Sequence, residues 1–340
     1  MSTIIGWDVG GAHLKAARAE DGRLVQVLTL PCPLWLGRDR LDAALAEAVA
    51  ILGPADRHAA TMTGELADIF ASRAEGVVGI TTTLAAAFGA ERVALWAGTE
   101  GFVAAEEAGP LAGAIASVNW LATATLAART IPDALVADIG STTTDLVPIA
   151  AGAVAARGLS DAERLGCGEL VYTGIARSFV MALADRVPFA GAWTPLACEY
   201  FASSADIHRI LGELPEGADL LPAADGREKT VAASVARLAR MVGRDAADAS
   251  AGEWRALAAF LAEAQLRSVA DAAALVLSRA ALPEAAPVIG CGIGRHLAAR
   301  LAARLGRPYR ALFEDEAASA AAPAVAVALL AGAAASDLIP

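Results

Sequence analysis

The densest chemistry in the chain lies between Val136 and Asp145. Asp138 ends a short apolar run of Leu135, Val136 and Ala137, which reads as a buried strand. Gly140 permits a tight turn. Ser141, Thr142, Thr143 and Thr144 then offer hydroxyls and backbone N–H groups at the spacing a phosphate group needs. Asp145 follows, and two carboxylates among phosphate-binding groups suit a bridging divalent cation, most simply Mg²⁺. The same string also reads as a hairpin with a threonine-rich turn. A second copy of the device stands near the N-terminus, where Asp8 precedes Val9, Gly10 and Gly11. His13 and Lys15 follow at period two, so they share a face. The repetition of strand, acid and glycine predicts two related halves facing each other across a cleft.

Other polar groups interrupt apolar stretches. Residues 59–68 predict a strand, a Thr/Gly turn and a helix start, with Glu65 and Asp68 in the first helical turn. Either acid would suit the positive end of a helix dipole; we assign Glu65 to the cleft and Asp68 to the helix. Asn119 and Trp120 sit in a helix expected over 116–128, where an amide needs a hydrogen-bond partner if buried. Arg164, Glu169, Tyr172, Thr173 and Arg177 form either an ion-pair network or a pocket wall, and Arg177 suits a carboxylate or phosphate. Residues 215–229, with Asp225 and Arg227, are long enough for a lid or binding loop. Gly290, Gly292 and Gly294 lie between a strand and a helix. Their spacing is not that of a dinucleotide fingerprint, but it allows close backbone approach to a nucleotide or another flat ligand.

The elements that must position these groups follow from periodicity. Strands are expected at 4–8, 14–19, 24–30, 91–97, 146–149 and 154–157, and helices at 40–52, 234–241 and 253–279. With 340 residues, 56% of them hydrophobic and 19% charged, the chain can bury two domain cores. The expected division is 1–131 for the first domain and 132–320 for the second, with pocket insertions over 160–250. An alanine-rich helix over about 321–338 is expected to pack back on the first domain. Pro323 and the lack of anchoring flanks argue against its crossing a membrane. The 27 basic and 38 acidic residues give a net charge of −11, which disfavours nucleic acid and anionic membranes as partners. Cys32, Cys167, Cys198 and Cys291 are far apart and form no metal or disulfide pattern, and the N-terminus lacks a basic leader. Both features imply a reducing, cytoplasmic location.

The order of Asp8 to Gly11, Asp138 to Asp145 and Gly290 to Gly294 resembles the actin/hexokinase ATPase superfamily. That resemblance implies an α/β fold of two duplicated, ribonuclease H-like domains facing a central cleft. Within it the chain is similar to the hydantoinase/oxoprolinase-like proteins of the one-carbon pathway of methanogens and methylotrophs. The matching stretches are 6–15, 61–68, 119–122, 138–145, 170–174, 224–227 and 237–240. The family often has Asn where this chain has His13, and Thr-Pro where it has Ser178 and Phe179.

The resemblance implies a condensing activity of methanofuran or methylofuran biosynthesis. In it an aminomethylfuran-methyl diphosphate joins the phenol of a glutamyltyramine or tyrosine acceptor, and pyrophosphate is released. Asp8 and Asp138 would hold Mg²⁺. Gly10, Gly11, His13, Gly140, Ser141 to Thr144 and the glycines at 290, 292 and 294 would line the phosphate and ligand loops. Lys15 would neutralise charge, and Glu65 or Asp145 would take the phenol proton. Asn119, Trp120, Tyr172, Arg177, Asp225 and Arg227 would contact substrate. The fold admits ATP or ADP, although this chemistry requires neither, and a homodimer is compatible with it. Competing expectations are an ATP-dependent kinase or oxoprolinase-type ATPase, and a non-catalytic nucleotide-binding regulator.

Overall fold

A computed structural model of the protein describes residues 2–336. The strands of the first third are β1 (Thr3–Val9), β2 (His13–Glu20), β3 (Arg23–Pro31), β4 (Arg57–Met62), β5 (Val93–Trp96) and β6 (Phe102–Ala104). Then come β7 (Ala134–Ile139), β8 (Thr144–Ala150), β9 (Ala153–Val154), β10 (Leu170–Val171), β11 (Arg186–Phe189), β12 (Ala192–Pro195), β13 (Val288–Cys291) and β14 (Tyr309–Ala311). The helices are α1 (Asp39–Leu52), α2 (Arg73–Phe88), α3 (Ala112–Ile115), α4 (Asn119–Ala128), α5 (Asp161–Cys167) and α6 (Ser204–Leu211). They continue with α7 (Val231–Met241), α8 (Ala251–Arg279), α9 (Arg295–Arg304), α10 (Glu316–Ala320) and α11 (Ala322–Ser336).

The first compact unit comprises Met1–Ala134, Val147–Arg164 and Leu312–Pro340, so the 147–164 segment and the chain from 312 group with it. Its sheet runs β3-β2-β1-β4-β5-β6. β1 is apolar almost throughout and lies buried between antiparallel β2 and parallel β4. Asp21 and Gly22 both take positive φ, the turn that matches the twist of the β2–β3 hairpin. α11 packs on β1, β2, β4 and α4 through small residues, with Ala17 and Ala19 meeting Ala321, Ala324, Val325 and Ala328. Residues 337 and 338, the expected end of this helix, lie outside the described residues. Among the described residues no helix is long and apolar enough to cross a membrane.

Close approach of α11 depends on Gly6 in β1. A Cβ there would sit 2.8 Å from the Ala328 Cβ and would also press on the Ala324 carbonyl oxygen. Gly6→Ala is therefore expected to cost about 1–3 kcal/mol through overpacking, read as a lower urea midpoint with an unchanged slope.

The second unit comprises Leu135–Leu146 and Leu165–Ala311. The second sheet runs β10-β8-β7-β13-β14. β7 and β14 flank β13 in parallel, and β8 pairs antiparallel with β10. The order repeats β3-β2-β1-β4-β5, so β7 is the counterpart of β1 and β13 of β4. Residues 180–262 add a core of their own, in which β11, α6, α7 and α8 enclose Val187, Ile207, Leu238, Trp254 and Leu261.

Two helices begin later than periodicity predicts. α2 starts at Arg73, capped by the Ser72 hydroxyl, which accepts from Glu75 N. Asp68 therefore precedes the helix, and Glu65 sits in a single 3₁₀ turn, Gly64–Leu66. The helix expected from residue 116 starts at Asn119, because Ser117 takes φ +55 and interrupts it. All four cysteines are free thiols, and burial pushes Cys32 up to about 11.

Candidate functional site

In α/β sheets ligands gather beyond the carboxyl ends of parallel strands. The first unit places its polar groups there. Asp8, the penultimate residue of β1, is only 3% exposed and lies opposite Lys15 on β2 and Thr61 on β4. Lys15 Nζ stands 3.3 Å from Asp8 Oδ2, and Asn119 Nδ2 lies 3.5 Å from Oδ1. The amide of Asn119 is oriented by its own helix, since its Oδ1 accepts from Trp120 N at 2.8 Å.

Glu65 follows the end of β4 and is 1% exposed. α2 crosses directly beneath it: a Cβ on Gly76 would lie 2.6 Å from the Glu65 Cα. The Ser117 hydroxyl donates to Glu65 Oε1 at 2.6 Å, and Oε2 has no hydrogen-bond partner among the described residues. Burial raises the carboxyl to about 7, against the lowering effect of the Ser117 hydrogen bond. A carboxyl poised there exchanges a proton at neutral pH. Ser117 is brought to this point by the Met62–Ala116 bridge and by its own positive φ. A buried non-glycine residue in that conformation is a strained one held by its surroundings. Sequence reasoning missed Ser117 because no local pattern marks it.

In the second unit Asp138 occupies the position on β7 that Asp8 has on β1, and is 9% exposed. The turn after it is tightly built. Gly140 N donates to Thr143 O at 2.9 Å, while Ile175 N and Arg177 N donate to Gly140 O and Ser141 O at 3.0 and 2.8 Å. A Cβ on Gly174 would lie 2.6 Å from the Gly140 carbonyl oxygen and from Thr142 N. The Ser141, Thr142 and Thr143 side chains are half-buried, with the first two hydroxyls 3.5 Å apart. Thr144 differs: it is fully buried and its hydroxyl donates to Thr173 O at 2.8 Å, so that group serves the fold. Asp145 is half-buried on β8.

The third glycine loop reaches the same place. Gly294 N donates to Ile139 O at 2.8 Å, and Gly292 packs directly against Asp138 and Ile139. Gly290 instead makes room for the Tyr309 ring and Ala298, a packing role. Gly10 is close to the His13 carbonyl, Gly11 is open, and His13 is half-buried at the start of β2.

The remaining expected groups are dispersed. The Trp120 indole is buried beneath the Arg164 guanidinium, 3.8 Å from the ring centre. Glu169 is buried and bound by Arg279 at 2.8 Å. Tyr172 is 65% exposed, and Arg177 is exposed beside the hairpin turn. The 215–229 loop is tethered rather than loose. Asp225 Oδ1 accepts from Arg227 N at 3.0 Å and from Arg237 Nη1 at 3.1 Å, and Lys229 Nζ donates to Asp219 O at 2.6 Å. Arg237 is itself fully buried against Asp206, with contacts of 2.9 and 2.7 Å to Oδ1. Arg227 is exposed on that loop.

Comparisons with known proteins bear on the fold and the family. Over 96% of its length the chain superposes on 70% of an ATP-dependent acetone carboxylase chain, solved nucleotide-free, with TM-score 0.60 and 11% identity. A ROK family glucokinase from Streptomyces griseus, solved with glucose and AMPPNP, matches with TM-score 0.50 and 16% identity over 96% of this chain and 98% of that one. At such identities the likeness is one of fold, the duplicated actin/hexokinase-like α/β architecture. A protein of Methanocaldococcus jannaschii, named (4-{4-[2-(gamma-L-glutamylamino)ethyl]phenoxymethyl}furan-2-yl)methanamine synthase, is 35% identical over 243 residues, 71% of this chain and 72% of that protein. A Methanococcus vannielii protein of the same name is 34% identical over 119 residues, 35% of this chain and 53% of that protein. The hydantoinase/oxoprolinase family model matches residues 56–333, and the chain belongs to that family.

Proposed function

We propose that the protein is a transferase that forms an aryl ether in the biosynthesis of methanofuran or methylofuran. A phenol oxygen attacks the exocyclic methylene carbon of an aminomethylfuran-methyl diphosphate. The bond from that carbon to the diphosphate breaks, its electron pair leaves on pyrophosphate, and the phenol proton passes to the protein. The name of the Methanocaldococcus jannaschii relative supports this reading, because it describes a furan joined to a phenol through an oxygen and a methylene. The observation that carries it is Glu65: a buried carboxyl near pKa 7, oriented by Ser117 through one oxygen and with the other unengaged. A phenol titrates near 10, so removing its proton at neutral pH needs such a base.

The leaving group needs neutralisation as the bond breaks. Lys15 and Asn119 hold the Asp8 carboxylate in one orientation, and the hydroxyls and N–H groups of Ser141 to Thr143 suit phosphate oxygens. Asp8 near the end of β1 and Asp138 near the end of β7, each within its own unit, offer oxygen donors of the kind that fits Mg²⁺, which takes one or two carboxylates with substrate phosphates. In that role either carboxylate would serve as a magnesium ligand, and the ion would supply charge neutralisation to the diphosphate. Arg177 and Arg227, both exposed, suit the carboxylate of a glutamyl or tyrosyl acceptor.

Incubation with Mg²⁺, the furan diphosphate and γ-glutamyltyramine or a tyrosine acceptor is expected to yield the ether, seen by mass, with one pyrophosphate per ether and no need for ATP. ATP turnover stimulated by a small acceptor, without ether, would overturn the reading in favour of a kinase or ATPase. Ligand binding with no chemistry under either condition would overturn it in favour of a regulator.

A further inference from the structure

We propose that His208, Glu213 and His296 bind a zinc-class divalent ion inside the second unit, apart from the phosphate loops. His208 lies in the last turn of α6, where Gly212 caps the helix in the left-handed conformation. The chain then folds back, with Glu213 N donating to His208 O at 2.8 Å, and the carboxylate returns to the imidazole, Oε2 lying 3.2 Å from Nδ1. His296, in the first turn of α9, presents a second ring, its centroid 6.1 Å from that of His208 and at 81° to it. One ligand atom from each of the three residues lies within 4.8 Å of the others, and among the described residues they are the one such group.

The hydrogen-bond network fixes the tautomer of His208. Gln265 on α8 faces Gly174 O at 2.7 Å and Thr173 Oγ1 at 2.9 Å with its nitrogen, because a carbonyl oxygen can only accept. Its Oε1 therefore faces His208 Nε2, at 2.8 Å, and can only accept there. Nε2 carries the hydrogen, so the lone pair of a neutral His208 ring sits on Nδ1 and points at the Glu213 carboxylate. Two acceptors at 3.2 Å repel unless a cation lies with them. A proton would join two acceptors, whereas a metal ion collects three, and a third donor is present in His296. The 3.2 Å separation also matches the edge of a tetrahedral zinc site, roughly 3.3 Å when each bond is about 2.0–2.1 Å. Two imidazoles and one carboxylate leave a fourth position for water, and imidazole ligands select zinc-class ions over Mg²⁺ or Ca²⁺.

The surroundings are those of a held site. His208 donates its second ring nitrogen to Gln265, the outer contact that orients a metal-ligating histidine. Arg300 Nη1 stands 3.3 Å from Glu213 Oε2, and its partly exposed guanidinium is screened by solvent. Gln265 reaches Gly174, which abuts the Gly140 turn, so the ion stiffens the support behind the second phosphate hairpin.

The test uses untagged full-length protein stripped with a chelator, then given Zn²⁺ or Co²⁺ alone. One equivalent is expected to remain through dialysis, Co²⁺ is expected to give the visible bands of a four-coordinate site, and Zn²⁺ is expected to raise Tm. Glu213→Gln and His296→Gln, whose side chains are partly exposed, are expected to fold normally without metal by circular dichroism and to bind at least tenfold more weakly. No stoichiometric uptake would overturn the proposal, and so would uptake unchanged in both variants, which places the ion elsewhere. Nitrogen-15 shifts showing a proton on both nitrogens of His208 in Zn²⁺-treated protein would replace the ion with an imidazolium–carboxylate pair.

Discussion

Glu65→Gln is expected to lower kcat/KM for ether formation by about 10²–10⁴-fold, the range for loss of a general base. The amide keeps the size of the side chain and its contact with the Ser117 hydroxyl but cannot take a proton. For the unsubstituted protein kcat/KM is expected to rise with pH through one ionisation at about 7 and then level off, because the base must be ionised to act. The same substitution has a signature in stability. The folded carboxyl is raised from 4.5 to about 7 by burial, so the folded state binds the proton more tightly than the unfolded chain. Its contribution is fully present below about 4.5 and is lost as pH rises through about 7. Each tenfold difference in proton affinity between the two states is worth roughly 1.4 kcal/mol, so the burden is under about 1 kcal/mol at pH 5 and about 3 kcal/mol at pH 8. Gln carries no such burden. Any cost of burying its amide is independent of pH, so the diagnostic quantity is the change in the stability gap. Urea unfolding at pH 5 and pH 8 is expected to show the variant gaining about 2–3 kcal/mol relative to the parent between the two. Full activity in the variant would remove Glu65 from the reaction. A gap that does not move with pH would show that the carboxyl is not held neutral by burial.

The repeated strand–acid–glycine device was legible because it is local. Asp8 and Asp138 each follow an apolar run whose period and length mark a buried strand, and the structure sets both at the same place in two sheets of the same order. Asp21–Gly22 and Ala151–Gly152 carry local turn chemistry, and both pairs take positive φ. What the sequence hid was set by long-range packing. Ser117 acts on Glu65 across 52 positions, and its backbone conformation, not its residue type, puts the hydroxyl there. Glu65 looked like a first-turn helical acid, yet the Ser72 cap holds the helix start further along, and the carboxyl is left in a buried 3₁₀ turn. Thr144 belonged by type to the hydroxyl series, but the alternation of β8 turns it inward to Thr173. The Gln265–His208 contact spans 57 positions and leaves no pattern in the chain.

Gly292→Ala is expected to be the most damaging of the small substitutions in the second unit, for two reasons that add. The residue has φ +78, a conformation that costs an L-residue roughly 1–2 kcal/mol. The new Cβ would also press on the Ile139 carbonyl, with its carbon only 2.6 Å away, and on the Asp138 carboxylate. The Ile139 neighbours that must give way are backbone rather than the end of a flexible chain, so overpacking adds about 1–3 kcal/mol. Relief moves Asp138 or the start of the Gly140 turn, and a shift near 1 Å at a positioned group costs about 10²-fold in rate. The expected result is a loss of about 3 kcal/mol by urea unfolding, together with a fall of about 10²-fold in kcat/KM for ether formation. Gly11→Ala is the steric control: nothing lies within 4 Å of its Cβ, and stability is expected to stay within about 0.5 kcal/mol. If Gly292→Ala kept both parental stability and full activity, the third glycine loop would not be what sets the Asp138 carboxylate, and the coupling between these two motifs would have to be abandoned. If stability fell while kcat/KM held, Asp138 would be structural, and the proposed assignment of magnesium to it would fall.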